Sequence, residues 1–372
     1  LHPPITFSHD IFTSQMVGGI SRYFCELALA LSDGGEVVEI VAGRHRNHHL
    51  KTLESTSAAK ERGLVRGRYE PPIRLPAQLL RLRNEAWATA RTRTDGIFHR
   101  TYYPLLDLVP GRRPLITTVH DMVWEMFPGE ARSFAINSRL KRRAVDRADL
   151  IIAPTEATKR DLCRLWSLPP DRVHVVNHGF TAPALPPDDG QHLLDGKPYI
   201  LFVGRRGGYK NFARFVQGYA RSVLPARGVH LLCFGGGDFS PADHALLAAA
   251  GITDHVTWMG GDDATMMRAY RDAELFIYPS RCEGFGLPVL EAMAVGCPVA
   301  IAKEAEALVE VAGDAALTYD ASDIDATVHL LDTHVGDESG RAALAAHGRA
   351  RIGQFGWERC AAETAALYAL LA

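Results

Sequence analysis

The chain has 372 residues, 47% hydrophobic and 23% charged, which is enough apolar side chain for a large core and more length than one core uses, so two domains are expected. No run approaches the roughly 18 uncharged apolar residues of a membrane span. Six scattered cysteines without a C-x-x-C argue against a disulfide framework or a cysteine zinc site and for a reducing compartment, the cytoplasm.

Net charge is only −2 but uneven, with 26 Lys and Arg against 19 Asp and Glu through residue 180, then 15 against 24. Residues 44–100 alone carry 13 basic and 5 acidic side chains. That balance suits an anionic partner, either a phosphate-bearing substrate or an anionic membrane surface, and equally suits a solvated Arg-rich face.

The N-terminal LHPPITFSHDIF has no basic segment ahead of a long apolar run, so no secretory signal is expected. Short β-rich runs then alternate with helical ones: ITFS (5–8), a helix over about Ile20 to Leu31, VVEIVA (37–42), GIFH (96–99), LITTVH (115–120), LIIAPT (150–155) and RVHVV (172–176). TAPALPPDDGQHLLDGKP (181–198), rich in Pro, Gly and Asp, reads as a linker. A second series follows: YILFVG (199–204), VHLLCFG (229–235), HVTWMG (255–260), ELFIYPS (274–280) and PVAIA (298–302). The alternation predicts an α/β protein of two doubly wound parallel domains, with ligands at the carboxyl ends of the strands.

Two loops after strands of the second series hold chemistry. In EGFGLPVLEAMAVGCP (283–298), Gly284 and Gly286 permit a tight turn and Pro288 suits a helix start. Amides around Phe285 to Val289 then form an anion-binding helix N-terminus. Glu283 lies just outside that helix and Glu291 about one turn in. Alone, the stretch is no more than a helix with an acidic start. In FVGRRGGYKNF (202–212), Gly204 ends a strand, and Arg205 and Lys210 follow it. A guanidinium and an ammonium in a glycine-rich loop suit a diphosphate. Asp323-Ile324-Asp325 reads as the capped, acidic start of a helix after Ser322, so no metal is predicted. His9-Asp10 fits a ligand cleft or a structural role equally, and His178 in VVNHGF reads as a packing residue near the linker.

PSRCEGFGLPVLEAMAVGCPV, with FVGRRGGYKNF upstream and EVAGDAAL (310–317) downstream, resembles the retaining family-4 glycosyltransferases of the GT-B fold. GGISRYFCELA (18–28), FHRTYYP (98–104), TVHDMVWEMFPG (118–129) and FGWERCAAETAALY (355–368) extend the resemblance over nearly the whole chain. It implies two Rossmann-like domains facing each other across a cleft. Residues 1–182 would bind the acceptor and 183–354 the nucleotide-sugar donor, with 355–372 crossing back to the first domain.

By the same resemblance, Arg205 and Lys210 would hold the donor diphosphate. Glu283 would meet the sugar hydroxyls, with the Gly284, Phe285, Gly286 and Leu287 amides along sugar and phosphate. Glu291 would take the ribose, and Met259 and Gly260 would flank the base. Gly18 and Gly19 would form a loop closing on the diphosphate. His120 would sit by the transferring sugar, with Asp121, His99 and Tyr102 as acceptor-side candidates. The resemblance is to subgroups building bacterial surface polysaccharides, which implies GDP-mannose first and a UDP-sugar second as donor. It implies a glycan acceptor, no cofactor or metal, and no nucleic acid. The basic face and the Arg-rich segment KRRAVDR (141–147) point to a lipid-linked acceptor and to a cytoplasmic enzyme peripheral to the inner face of the membrane.

Among other classes, a dinucleotide oxidoreductase needs G-x-G-x-x-G at its first turn, where HDIFTSQMVGG stands instead. A nucleotide-sugar 2-epimerase or hydrolase of the same fold remains as the alternative. A non-catalytic sugar-nucleotide-binding protein is disfavoured by the complete set Arg205, Lys210, Glu283, Glu291 and His120.

Overall fold

The computed structural model describes residues 3–70, 77–93, 95–108, 113–130, 132–185, 190 and 192–371. The chain forms two compact units, Leu1–Gly179 with Phe355–Ala372, and Phe180–Gln354.

In the first unit the strands are β1 (Ile5–Phe7), β2 (Val38–His45), β3 (Val65–Tyr69), β4 (Ile97–Arg100), β5 (Leu115–Thr118), β6 (Leu150–Ala153) and β7 (Val173–Val175). They pair in the order β3-β2-β1-β4-β5-β6-β7, every pair parallel. Strands such as LIIA and LITT are buried throughout, as expected where helices cover both faces of a parallel sheet. β3, VRGRY, is an edge strand whose three central residues are exposed. Without an apolar pattern it gives no strand signal, and it was not among the predicted strands.

Helix Gly19–Asp33 buries Tyr23, Phe24, Leu27 and Leu31. These pack in one core with Cys360, Ala361 and Tyr368 of the terminal helix Trp357–Ala369. The contact is close at Gly179, where a Cβ would come within 2.2 Å of the Trp357 ring.

The second unit contains β8 (Tyr199–Val203), β9 (His230–Phe234), β10 (Val256–Met259), β11 (Leu275–Tyr278), β12 (Val299–Ala302) and β13 (Leu317–Tyr319). All pairs are parallel, in the order β10-β9-β8-β11-β12-β13. Chain direction across the sheet reverses between β8 and β11, which defines a topological switch point. Helix Phe212–Arg221 turns Phe212, Phe215, Val216 and Tyr219 into the core, each contributing about 1.5–3 kcal/mol by burial. Asp323 is the N-cap of helix Ile324–His334, its carboxylate accepting from the Asp325 amide at 2.9 Å. Of the predicted linker, residues 186–189 and 191 lie outside the described residues. No helix among the described residues is long and apolar enough to cross a membrane.

Candidate active site

In the second unit the loops that leave β8 and β11 meet at the switch point. After β8, Gly204 takes φ +106° and donates its amide to Phe234 O at 2.9 Å. The next two residues diverge. Arg206 is drawn inward: its side chain is 4% exposed, donates to the carbonyls of Gly235, Gly237 and Asp238, and lies 3.4 Å from Asp243. Arg205 is exposed and has no hydrogen-bond or ion-pair partner among the described residues. An always-charged fork of donors is thus left for a ligand.

Lys210 Nζ donates to Glu283 Oε1 at 2.5 Å and to Tyr278 Oη at 2.9 Å. Both charged side chains are largely buried, at 12% and 15% exposure. An ammonium has three donors, so one remains unspent. Burial, and then the Glu283 carboxylate, push the Tyr278 hydroxyl well above the ordinary tyrosine range, so it stays protonated. The Arg281 amide donates to Tyr209 O at 2.8 Å and ties the two loops together.

Gly286 is the N-cap of helix Leu287–Ala294, with φ +94° and ψ 49°. Glycine is required there, because φ is positive and a Cβ would also meet Leu308 Cδ2 at 2.4 Å. With no side-chain cap on this helix, its first turn presents a positive dipole end suited to an anion. Glu291, 8% exposed, lies within this helix and accepts from Tyr270 Oη at 3.5 Å. Gly284, Phe285 and Leu287 lie on the same turn.

Met259 ends β10 and accepts the Gly235 amide at 2.9 Å, and Gly260 follows it, exposed. The run Gly235-Gly236-Gly237, all at φ between +69° and +85°, was not singled out in the sequence. A Cβ at Gly236 would come within 2.2 Å of Gly204 O, so this run lets the β8 and β9 loops touch. Three consecutive glycines after a strand were the available signal.

In the first unit, His120 lies two residues past β5. It is 6% exposed, and its Nδ1 is 3.3 Å from His178 Nε2. Its buried Nε2 has no hydrogen-bond partner among the described residues. Tyr23 lies against both rings, at centroid distances of 5.3 Å and 4.3 Å. Burial first, then the neighbouring His178, His99 and Lys141, hold His120 well below the ordinary histidine range. Burial brings His178 down to about 3, so both rings are neutral at neutral pH.

Gly18 precedes the helix that Gly19 opens, and its backbone is extended. A Cβ there would meet Gln15 Oε1 at 2.5 Å, the far end of a flexible side chain. Asp121 is half exposed, with Oδ1 accepting from the Val123 amide at 3.1 Å. Tyr102 is half buried, stacked on Tyr103 at 4.6 Å and edge-on to Trp124.

Three expectations change. His99 is fully buried, its ring nitrogens bonded to Tyr368 Oη at 2.7 Å and Thr118 Oγ1 at 2.8 Å. Burial lowers it to about 3, so it is a core residue and not an acceptor contact. His178, read as simple packing, is the hydrogen-bond partner of His120. KRRAVDR (141–147) is not an open basic face. Lys141 is 1% exposed and bonded to Glu125 at 2.7 Å, and Arg143 donates to the Pro104 and Leu105 carbonyls. Arg147 pairs with Asp107 at 2.9 Å, and Arg100 of the basic 44–100 segment is wholly buried against the same carboxylate. His9 and Asp10 are likewise buried, with Asp10 accepting from Ser8 Oγ at 2.6 Å.

Residues 17–182 match the family model described as Glycosyltransferase Family 4, and residues 187–351 that described as Glycosyl transferases group 1. The chain belongs to the family-4-like glycosyltransferases of the GT-B fold. The O-antigen chain mannosyltransferase B of Escherichia coli is 29% identical over 375 residues, covering 95% of this chain and 96% of that protein. The D-inositol 3-phosphate glycosyltransferase of Jonesia denitrificans is 28% identical, covering 94% and 91%. Among solved structures, sucrose-phosphate synthase from Thermosynechococcus elongatus aligns at TM-score 0.72 and 20% identity, covering 99% of this glycosyltransferase and 98% of that chain. Anabaena Alr3699/HepE in complex with UDP-glucose aligns at 0.69 and 17%, covering both chains fully. At such identities the structures speak for the two Rossmann-like domains alone.

Proposed function

We propose that this glycosyltransferase moves a hexose from a nucleotide-diphospho-sugar to a glycan or lipid-linked saccharide, with retention at the anomeric carbon and without a metal. GDP-mannose is the first donor choice and a UDP-sugar the second. The observation that carries the proposal is Arg205, without a hydrogen-bond or ion-pair partner among the described residues, on the same switch-point loop as Lys210, whose partner Glu283 precedes an uncapped helix N-terminus.

In this reading, Arg205 and the spare Lys210 donor bind the diphosphate and stabilise its charge as the glycosidic bond breaks. Glu283 accepts from sugar hydroxyls, and Glu291 from the ribose. Met259 and Gly260 flank the base, and the amides of Gly284 to Leu287 line sugar and phosphate. For the first unit, the substrate roles of Gly18, Gly19, His120, Asp121 and Tyr102 rest on the family resemblance alone. Glu283 is held by Lys210 rather than free to act as a nucleophile. The acceptor would then attack from the face the diphosphate leaves, through an oxocarbenium-like state, with positioning as the main protein contribution. GDP-mannose is put first because the Escherichia coli relative is named a mannosyltransferase. Metal independence is proposed because two cations, Arg205 and Lys210, would take the phosphate charge that a metal otherwise offsets.

The test is a melting-temperature screen of GDP-, UDP- and ADP-sugars, since a matching ligand stabilises by mass action. Product NMR follows with the stabilising donor and a saccharide acceptor, in the presence of EDTA. A transferred sugar with the donor's anomeric configuration is expected. An inverted product, or activity abolished by EDTA and restored by a divalent ion, overturns the mechanism. Membrane attachment is tested separately, by flotation with anionic vesicles at low salt: absence of binding ends that part of the proposal.

A further inference from the structure

His120 and His178 are the one pair of buried imidazoles in direct hydrogen-bond contact among the described residues. An imidazole has two ring nitrogens, and the partner of one fixes the protonation of the other. The contact uses Nδ1 of His120, so Nε2 is the only ring atom left to a ligand, and it has no partner. The two rings cannot both be protonated across 3.3 Å in a dry site. A single proton therefore lies between Nδ1 and His178 Nε2, carried by one ring or the other, so the tautomer of His120 is set by that of His178.

His178 is itself held. Its ring lies 4.3 Å from that of Tyr23, tilted by 35°. The next residue, Gly179, presses so closely on Trp357 that no Cβ fits. Gly179 is the last residue before the chain leaves the first unit, and Trp357 begins the helix with which it returns. Both chain crossings thus meet beside the partner of His120.

We infer that His178 is a positioning residue: it occupies Nδ1 of His120, sets the tautomer of that ring through its own, and so leaves Nε2 in one protonation state for a ligand. The inference rests on the transferase reading. Around His120 the other charged or titratable groups are His99, Lys141 and Tyr23. Lys141 is neutralised by Glu125, His99 is held neutral by burial, and the Tyr23 hydroxyl is pushed well above its ordinary range by burial. His178 is thus the neighbour whose removal changes the tautomer without adding a charge.

The test compares His178→Phe, which keeps an aromatic ring against Tyr23, with His178→Gln, which restores a polar atom. For the Phe variant, kcat is expected to fall about tenfold, the equivalent of one lost hydrogen bond, with donor KM within a factor of about two. Its acidic limb should move to higher pH, because removing His178 lifts one of the influences that depress His120. The Gln variant is expected to regain most of the rate. Ring-nitrogen NMR shifts of His120 in the free protein should show one tautomer in the wild type and a mixture in the Phe variant. Phe and Gln variants with equal rates, or a single unchanged His120 tautomer in both, overturn the inference. If the wild type transfers no sugar but hydrolyses the donor, the transferase reading fails while the same comparison, made on hydrolysis, still tests His178.

Discussion

Arg205 and Arg206 are adjacent in sequence and opposite in predicted consequence. Replacing Arg206 by Ala removes donors to three carbonyls, at 3.3 Å, 2.6 Å and 2.7 Å, and a 3.4 Å contact with Asp243. Those carbonyls belong to the left-handed glycine loop after β9 and to Asp238 beyond it. Hydrogen bonds from a charged group are worth about 1.5–3 kcal/mol each, and water recovers part of that when the side chain is removed. A net loss of about 3 kcal/mol is expected. For a unit the size of Phe180–Gln354 this lowers the melting temperature by about 6–12 °C. Replacing Arg205 by Ala removes no hydrogen bond or ion pair among the described residues, so stability should stay within about 0.5 kcal/mol. It should instead lose about 3 kcal/mol of stabilisation of the departing diphosphate, or about a hundredfold in kcat/KM. Differential scanning fluorimetry and initial rates on both variants check the pair. An Arg205→Ala enzyme with kcat/KM within threefold of wild type, or an Arg206→Ala protein as stable as wild type, refutes the division of labour.

Other consequences are independent of the donor loop. Lys141→Met should destabilise the first unit by about 3–5 kcal/mol in urea unfolding, because it strands the buried Glu125 carboxylate; the double variant with Glu125→Leu should recover much of this. His99 and His178, both lowered to about 3 by burial, bind fewer protons folded than unfolded between about pH 3 and 6.5. Their stabilisation is therefore complete above about pH 6.5 and is lost as pH falls, by up to about 1.4 kcal/mol per histidine per pH unit. Urea midpoints measured from pH 7 to 5 should fall accordingly, and flat midpoints would contradict the burial argument. Deleting residues 357–371 removes Cys360, Ala361 and Tyr368 from the core beside helix Gly19–Asp33, so the first unit's melting transition should drop or vanish; an unchanged curve would show that the terminal helix adds nothing.

The strands of both units were legible because parallel strands buried on two faces are short apolar runs. β3 and β13 were not, since edge strands reading VRGRY and LTY carry no such run. The candidate donor-side residues could be picked out because their chemistry is local. A strand end, a glycine, an arginine and a lysine lie within ten residues, and a second acidic loop leaves the neighbouring strand. What the sequence could not show is which of two consecutive arginines is consumed by the fold. Nor could it show that the lysine in KRRAVDR points inward onto Glu125. The histidines show the same limit: His99, His120 and His178 all stand at or near strand ends, and only packing separates the core residue from the pair.

The switch-point rule accounts for one unit and not for the other. At β8 and β11 the loops diverge and leave Arg205 and a spare Lys210 donor. At the corresponding β1 and β4 ends of the first sheet, the polar groups satisfy one another. Ser8 donates to Asp10, Thr101 Oγ1 donates to Ser8 O and accepts from the Ile11 amide, and the Thr101 amide donates to Ser8 Oγ. The cavity beside them has a volume of about 20 Å³, room for a water molecule and not for a sugar. In the proposed reaction the first unit's contribution would come from elsewhere on the same sheet edge, where His120, past β5, keeps a ring nitrogen without a hydrogen-bond partner among the described residues. A ligand that loaded the β1–β4 junction would first have to break four hydrogen bonds. One that engages His120 Nε2 breaks none.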